Sequence, residues 1–250
     1  MSERNVTIET PDGEADACFF FPEERRAPAV LLWPDMYGLR PAYAGLGRRL
    51  AEAGYAALVV NPYYRTMKGS LVPEGTTVID PELRAELFPR AKVHAAELSP
   101  ETTLRDGKAF LDFFARHPGV DTEKKVGVIG FCMTGAYSFR LAAALPDRIG
   151  AGVSLHGGGL VTDRPESPHR LIPSFQAEFF VAIAEDDDTN DPEAKSVLRK
   201  AFESAHVPAE VEVYSGTRHG FCAPDSAVYH AAQAERVWQR VLDVFARRLG

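Results

Sequence analysis

Cysteine is scarce in this chain of 250 residues: Cys18, Cys132 and Cys222 are the whole set, and none stands in a C-x-x-C spacing. So odd and sparse a set argues against a disulfide framework and a structural zinc site, and leaves at least one thiol free. Long apolar runs are missing as well. No stretch approaches the roughly 18 residues of a membrane span, and Met1 to Thr10 has no apolar segment after a basic start. Neither a membrane anchor nor a secretory leader is expected, cytoplasmic residence is the default, and the sequon Asn5-Val6-Thr7 carries no weight. Blocks of Lys and Arg are absent: 28 basic residues face 35 acidic ones for a net charge of -7, which provides no footprint for nucleic acid or an anionic membrane. Repeats, low-complexity tracts and linkers are also lacking, so residues 1–250 read as one domain.

What is present is a 45% hydrophobic, 25% charged chain able to bury a sizeable core. Residues 5–21 alternate at period two around Pro11-Asp12-Gly13, which predicts an antiparallel hairpin. Short, largely apolar runs follow at Ala29–Trp33, Ala56–Val60, Val126–Gly130, Ala151–Leu155 and Glu178–Ala184, with a further strand at Ala209–Tyr214. Runs of this kind suit strands buried on both faces of a parallel sheet. Between them, helical stripes are expected over Pro41–Ala53, Leu104–Arg116, Thr134–Leu145, Pro192–Ala205 and Ser226–Leu249. The alternation predicts an α/β fold with a mostly parallel sheet, helices on both faces and an antiparallel N-terminal hairpin. Residues 63–98, interrupted by Pro73, Pro81 and Pro89, break the alternation; Pro81–Leu98 reads as helical only in patches, and the segment is expected to form a cap or lid.

The most informative segment is Val126-Gly-Val-Ile-Gly-Phe-Cys-Met-Thr-Gly-Ala136, an apolar strand turning abruptly into a helix with Cys132 at the corner. A nucleophile there needs small neighbours, which Gly130 and Gly135 supply, and the start of the following helix favours a thiolate. A buried core cysteine is the competing reading of Cys132 taken alone. Two other segments shift the balance. One strand end delivers Glu185-Asp186-Asp187-Asp188 and the next delivers Arg218-His219-Gly220, so that nucleophile, acid and histidine occur in the order of the α/β-hydrolases, beyond the carboxyl ends of strands. A calcium loop over the acidic run fails, because Asp191 stands where Gly is required and Val197 where Glu is required. The other histidines, His94, His117, His156, His169, His206 and His230, read as structural or exposed.

Pro34-Asp35-Met36-Tyr37-Gly38-Leu39-Arg40, Gly130-Phe131-Cys132-Met133-Thr134-Gly135, Ala184-Glu185-Asp186-Asp187 and Arg218-His219-Gly220-Phe221 together resemble the dienelactone hydrolase family, the cysteine branch of the α/β-hydrolases, from about Ala27 to the C-terminus. The resemblance implies a triad of Cys132, Asp187 and His219, with Asp186 and Asp188 as alternatives within the acidic loop. It further implies an oxyanion hole from the backbone amides of Met36 and Met133. Asp35 takes the place of an acidic residue, often Glu, that modulates the thiol proton. Thr134 departs from the usual glycine.

The activity so implied is hydrolysis of a small ester or lactone through a thioester acyl-enzyme, with no cofactor and no metal, in a monomer or homodimer. Its partner would be a small-molecule ester or lactone; nucleic acid and membrane are not expected. A substrate carboxylate would need a cation, and Arg40, Arg65, Arg84 and Arg90 lie in the loops that could roof the site. Two rival classes are a non-catalytic binding protein on the same fold and a thiol redox protein using Cys132 with Cys222.

Overall fold

A computed structural model describes residues 1–250. Strands β1 (Ser2–Thr10) and β2 (Gly13–Phe21) form the expected hairpin, closed in antiparallel register from Ser2 opposite Phe21 to Thr10 opposite Gly13. Six more strands follow: β3 (Ala29–Trp33), β4 (Ala56–Val60), β5 (Val126–Phe131), β6 (Ile149–Leu155), β7 (Glu178–Ala184) and β8 (Ala209–Tyr214). They complete one eight-stranded sheet in the order β1-β2-β4-β3-β5-β6-β7-β8, parallel from β4 to β8. β3 to β6 are buried throughout, which is why their sequences run apolar without alternating.

Helices α1 (Pro41–Glu52) and α7 (Ala231–Leu249) cover one face of the sheet. Helices α3 (Pro100–Arg116), α4 (Gly135–Ala144) and α6 (Ala194–Ser204) cover the other; α2 (Pro81–Ala95) and α5 (Glu185–Asn190) lie outside these two layers. Tyr43, Leu46 and Leu50 of α1 join Val237, Val241 and Phe245 of α7 in one apolar layer, while Phe110 of α3, Phe139 of α4 and Phe202 of α6 build the opposite one.

Two expectations are corrected. Pro81–Leu98 is not helical in patches: α2 runs unbroken from Pro81 to Ala95, although Pro89 sits inside it. Its start carries ordinary signals, with Pro81 in the first turn and the Asp80 carboxylate accepting from the Leu83 amide at 2.8 Å. The helix has no continuous apolar stripe, because only Leu87 and Ala91 are buried, so periodicity could not reveal it. The last helix starts at Ala231 rather than Ser226, since residues up to His230 are drawn into turns around the site.

Strand order decides where the site lies. The chain leaves β3 for β4 on one side and returns to β5 on the other, so the loops after β3 and β5 diverge at a topological switch point, where open α/β sheets hold their crevice. No helix is long and apolar enough to cross a membrane.

Candidate active site

Cys132 follows β5 in a single turn of 3-10 helix, Cys132–Thr134, and has φ 55°, a left-handed conformation uncommon for a side chain with a Cβ. The chain must pass very close to itself there. A Cβ on Gly130 would stand 2.1 Å from the Thr134 carbonyl oxygen, and one on Gly135 would stand 2.4 Å from Ser154 Oγ. Thr134, unexpected at its position, explains itself through its buried hydroxyl. Oγ1 accepts from the Phe131 amide at 2.8 Å and has the Trp33, Pro34 and Phe131 carbonyl oxygens at 2.9 Å each, one of which it can donate to at a time. It thereby ties the β5 corner to the end of β3. From the loop after β6, the Gly158 amide bonds the Cys132 carbonyl at 3.2 Å.

His219 Nε2 lies 3.1 Å from Cys132 Sγ, and its Nδ1 lies 2.9 and 3.0 Å from the two carboxylate oxygens of Asp187. The four neighbouring acids have separate tasks. Asp186 accepts from the His219 amide at 2.8 Å, Glu185 accepts from the Gly216 amide at 3.1 Å, and Asp188 pairs with Lys195 at 2.7 Å. Only Asp187 reaches the imidazole. The acidic run after β7 forms the short helix α5. Burial disfavours the His219 imidazolium, but hydrogen bonds to Asp187 and Cys132 and the electrostatic interactions with both prevail, and its pKa rises to about 10.

On the facing loop, the Gly38 amide bonds the Asp35 carbonyl in a tight turn, the Tyr37 amide bonds the Asp35 carboxylate at 2.9 Å, and Tyr63 Oη donates to the Met36 carbonyl at 2.6 Å. The Met36 peptide is thus fixed from several sides while its own N–H stays without a protein acceptor. Met133 stands in the first turn after the corner and lines a separate cavity that Cys132 also borders.

Arg40 is no roof residue. It is buried, clamping Asp35 at 2.7 and 2.9 Å and Asp225 at 2.6 and 3.0 Å. Burial alone would push the Asp35 carboxyl up, but the Arg40 guanidinium overrides it and holds the group below its ordinary range. Arg65 is likewise committed, to Asp12 and Asp106, and Arg90 is exposed beside Glu86. Of the four arginines, Arg40 and Arg84 line the cavity of about 210 Å³ above Cys132 and His219, where Met36, Tyr37, Ile79 and Phe88 are also found, and Arg40 is already neutralised by Asp35 and Asp225.

The sequence reading missed His156. It directly follows β6 in a left-handed conformation, φ 39°, is 1% exposed, and lines the same cavity. Burial, reinforced by the neighbouring His219, drives its pKa down to about 3, so the ring is neutral, and neither nitrogen has a hydrogen-bond partner. A signal was available: His156 precedes Gly157-Gly158-Gly159 at a strand end, the same kind of setting that singled out His219. The other two thiols are remote in character from Cys132. Burial pushes Cys222 well up, and burial with the Glu3 and Asp16 charges pushes Cys18 up to about 11.

A mostly parallel sheet with a cysteine at a left-handed corner after β5, an acid after β7 and a histidine after β8 has the α/β-hydrolase architecture. Within that class the chain belongs to the dienelactone hydrolase family, whose model matches residues 15–249. It is 27% identical over 221 residues to an Escherichia coli (strain K12) protein named "Putative carboxymethylenebutenolidase", covering 87% of this chain and 76% of that one. A Klebsiella pneumoniae structure described as a "Putative Dienelactone Hydrolase" superposes with TM-score 0.80 at 25% identity over 98% of both chains. The "Dienelactone Hydrolase-like Promiscuous Phospotriesterase P91", from metagenomic libraries, superposes with TM-score 0.78 at 23% identity over 100% of both chains and supports the fold. The chain is accordingly a carboxylic ester hydrolase.

Proposed function

We propose that the enzyme opens a small, activated ester or lactone, of the dienelactone kind, with Cys132 as nucleophile, His219 as base and then acid, and Asp187 as the residue that orients the imidazole. The supporting observation is the unbroken hydrogen-bond line from Asp187 through His219 to the sulfur of a cysteine held at a left-handed corner.

In this reading the thiol proton already rests on His219 Nε2, whose raised pKa holds it there, when the sulfur attacks the carbonyl carbon. The carbonyl oxygen becomes an oxyanion between the Met36 and Met133 amides, and His219 returns the proton to the departing oxygen. A thioester on Cys132 remains. Water, deprotonated by the same His219, attacks it, and the thiolate leaves with its proton restored. Because sulfur is itself a good leaving group, enol esters and lactones are favoured over amides, whose nitrogen leaves less readily.

Asp35 serves the thiol through the loop it holds: its carboxylate keeps the Tyr37 amide and the Arg40 guanidinium in place around Met36. Arg84, facing the cavity and without a salt bridge, is the cation for a substrate carboxylate on that side. Residues 63–98 act as a cap, since Ile79, Arg84 and Phe88 form part of the cavity wall. Hydrolysis of a dienelactone, aryl esters and an amide by wild type, Cys132→Ala and His219→Ala tests the proposal, with mass spectrometry for an acyl adduct on Cys132. Undiminished lactone turnover by Cys132→Ala would sink it.

A further inference from the structure

Cys132 borders a second cavity besides the one it shares with His219. This larger space, about 570 Å³, lies on the α4 side of the thiol and is lined by Met133, Tyr137, Arg140, Thr162 and Arg164 among others. Met133, Tyr137 and Arg140 follow one another at helical spacing, so a single face leads from the nucleophile's corner outward to the guanidinium. The seven residues from Met133 to Arg140 correspond to about 10 Å of helix, shortened at the Arg140 head because helical side chains lean toward the N-terminus.

Arg140 differs from Arg40 and Arg65. Arg40 and Arg65 are each saturated by two carboxylates, whereas Arg140 is partly buried, has no carboxylate within ion-pair distance and accepts only a stacking neighbour, the Tyr137 ring 5.6 Å away. Burial lowers its pKa, opposed by Tyr137 and by the charges of Glu101 and Glu166; Glu101 is hydrogen-bonded to Ser99 and Glu166 is exposed at the cavity wall. A desolvated guanidinium with unused donors favours a planar oxyanion group that can take two of them.

Resting on the proposed triad, we infer that this larger cavity binds the acyl arm of the substrate and that Arg140 recognises a carboxylate at the far end of that arm. The side is set by His219. The departing oxygen must be protonated by Nε2, and His219 belongs to the wall of the smaller cavity, so the leaving group occupies that side and the acyl chain extends past Met133. The preferred substrate is thus an ester of a dicarboxylic acid, attacked at one carboxyl while the other stays ionised at Arg140.

Three 4-nitrophenyl esters test this: the acetate, the hexanoate and the mono-adipate, which matches the hexanoate in length but ends in a carboxylate. Wild type is expected to favour the mono-adipate over the hexanoate in kcat/KM, and Arg140→Gln to lower the mono-adipate value about tenfold, the size expected for a lost charged hydrogen bond, with the two neutral esters unchanged. Arg140→Lys should recover part of the loss. Equal effects of Arg140→Gln on all three esters, or none on any, would overturn the acyl-arm assignment while Cys132-dependent turnover of the acetate still upheld the triad. Absence of Cys132-dependent turnover of every ester would overturn both.

Discussion

The rings of His156 and His219 stand 5.2 Å apart at 71°, one neutral and without a hydrogen bond, the other bonded at both nitrogens. Two imidazoles in one cavity have therefore been driven in opposite directions, His156 down to about 3 and His219 up to about 10. Burial dominates the first; Asp187 and Cys132 overcome burial in the second.

The acid side of the stability profile should report His156. Between its folded pKa of about 3 and the ordinary 6.5, the unfolded chain holds a proton that the native ring refuses. The stability tied to the neutral ring is complete above 6.5 and is lost as pH falls toward 3. Melting temperature should drop from pH 6.5 to 4, and His156→Asn, which tolerates the left-handed backbone and does not titrate, should show a shallower drop. Parallel curves for the two proteins would refute this.

On the alkaline side the sign reverses. His219 keeps its proton in the native state up to about 10, so its contribution is fully present below 6.5 and is lost as pH rises through 10. His219→Gln should flatten the decline in melting temperature between pH 7 and pH 10. The same scan on Cys132→Ala should flatten part of it, because the sulfur is one of the two groups that raise the His219 pKa.

Arg40 sits between Asp35 and Asp225 with its side chain 1% exposed. Arg40→Gln strands two carboxylates in the interior and should cost about 3–5 kcal/mol in chemical denaturation. Replacing all three by apolar residues of similar volume should cost much less in stability, yet still lower kcat by loosening the Met36 loop. A single variant as stable as wild type would mean that water reaches the cluster freely.

Asp186 and Asp187 should separate cleanly in kinetics. Asp187→Asn removes the charge behind the ring and should lower kcat by roughly three orders of magnitude or more. Asp186→Asn retains an oxygen that can accept the His219 amide, so kcat should stay within about threefold. Reversal of that ranking would reassign the acid.

Thr134→Val keeps the shape of the side chain but removes the hydroxyl that serves the Phe131 amide and a carbonyl of the β3 or β5 end; unfolding should become easier by about 1–3 kcal/mol. Thr134→Ser should restore most of the loss. If valine is neutral in urea titrations, the close approach of β3 and β5 is held by packing alone.

The strands were legible because burial on both faces writes itself as an uninterrupted apolar run, and Ala29–Trp33, Ala56–Val60 and Glu178–Ala184 need no neighbours to be recognised. The corner at Cys132 was legible for a similar reason: Gly130 and Gly135 are where a strand must touch the helix that follows it. α2 was not, because a helix with two buried residues leaves no stripe to read. Local sequence could bring Asp186, Asp187 and Asp188 to one strand end and His219 to the next, but each acid's partner depends on how the β7 and β8 loops meet.

The sequence by itself therefore determined the alternation of strand and helix, the strained corner and the order in which cysteine, acid and histidine follow their strands, each of which arises from residues within one segment of the chain. Tertiary structure alone decided that Asp187 rather than its neighbours reaches the ring, that Arg40 is locked beneath the Met36 loop, that His156 is neutral beside His219, and that the thiol opens onto two cavities. These are relations between segments tens to nearly two hundred residues apart, as Arg40 is from Asp225. They depend on strand order and on how much water each group loses, and neither is carried by the residues of a single segment.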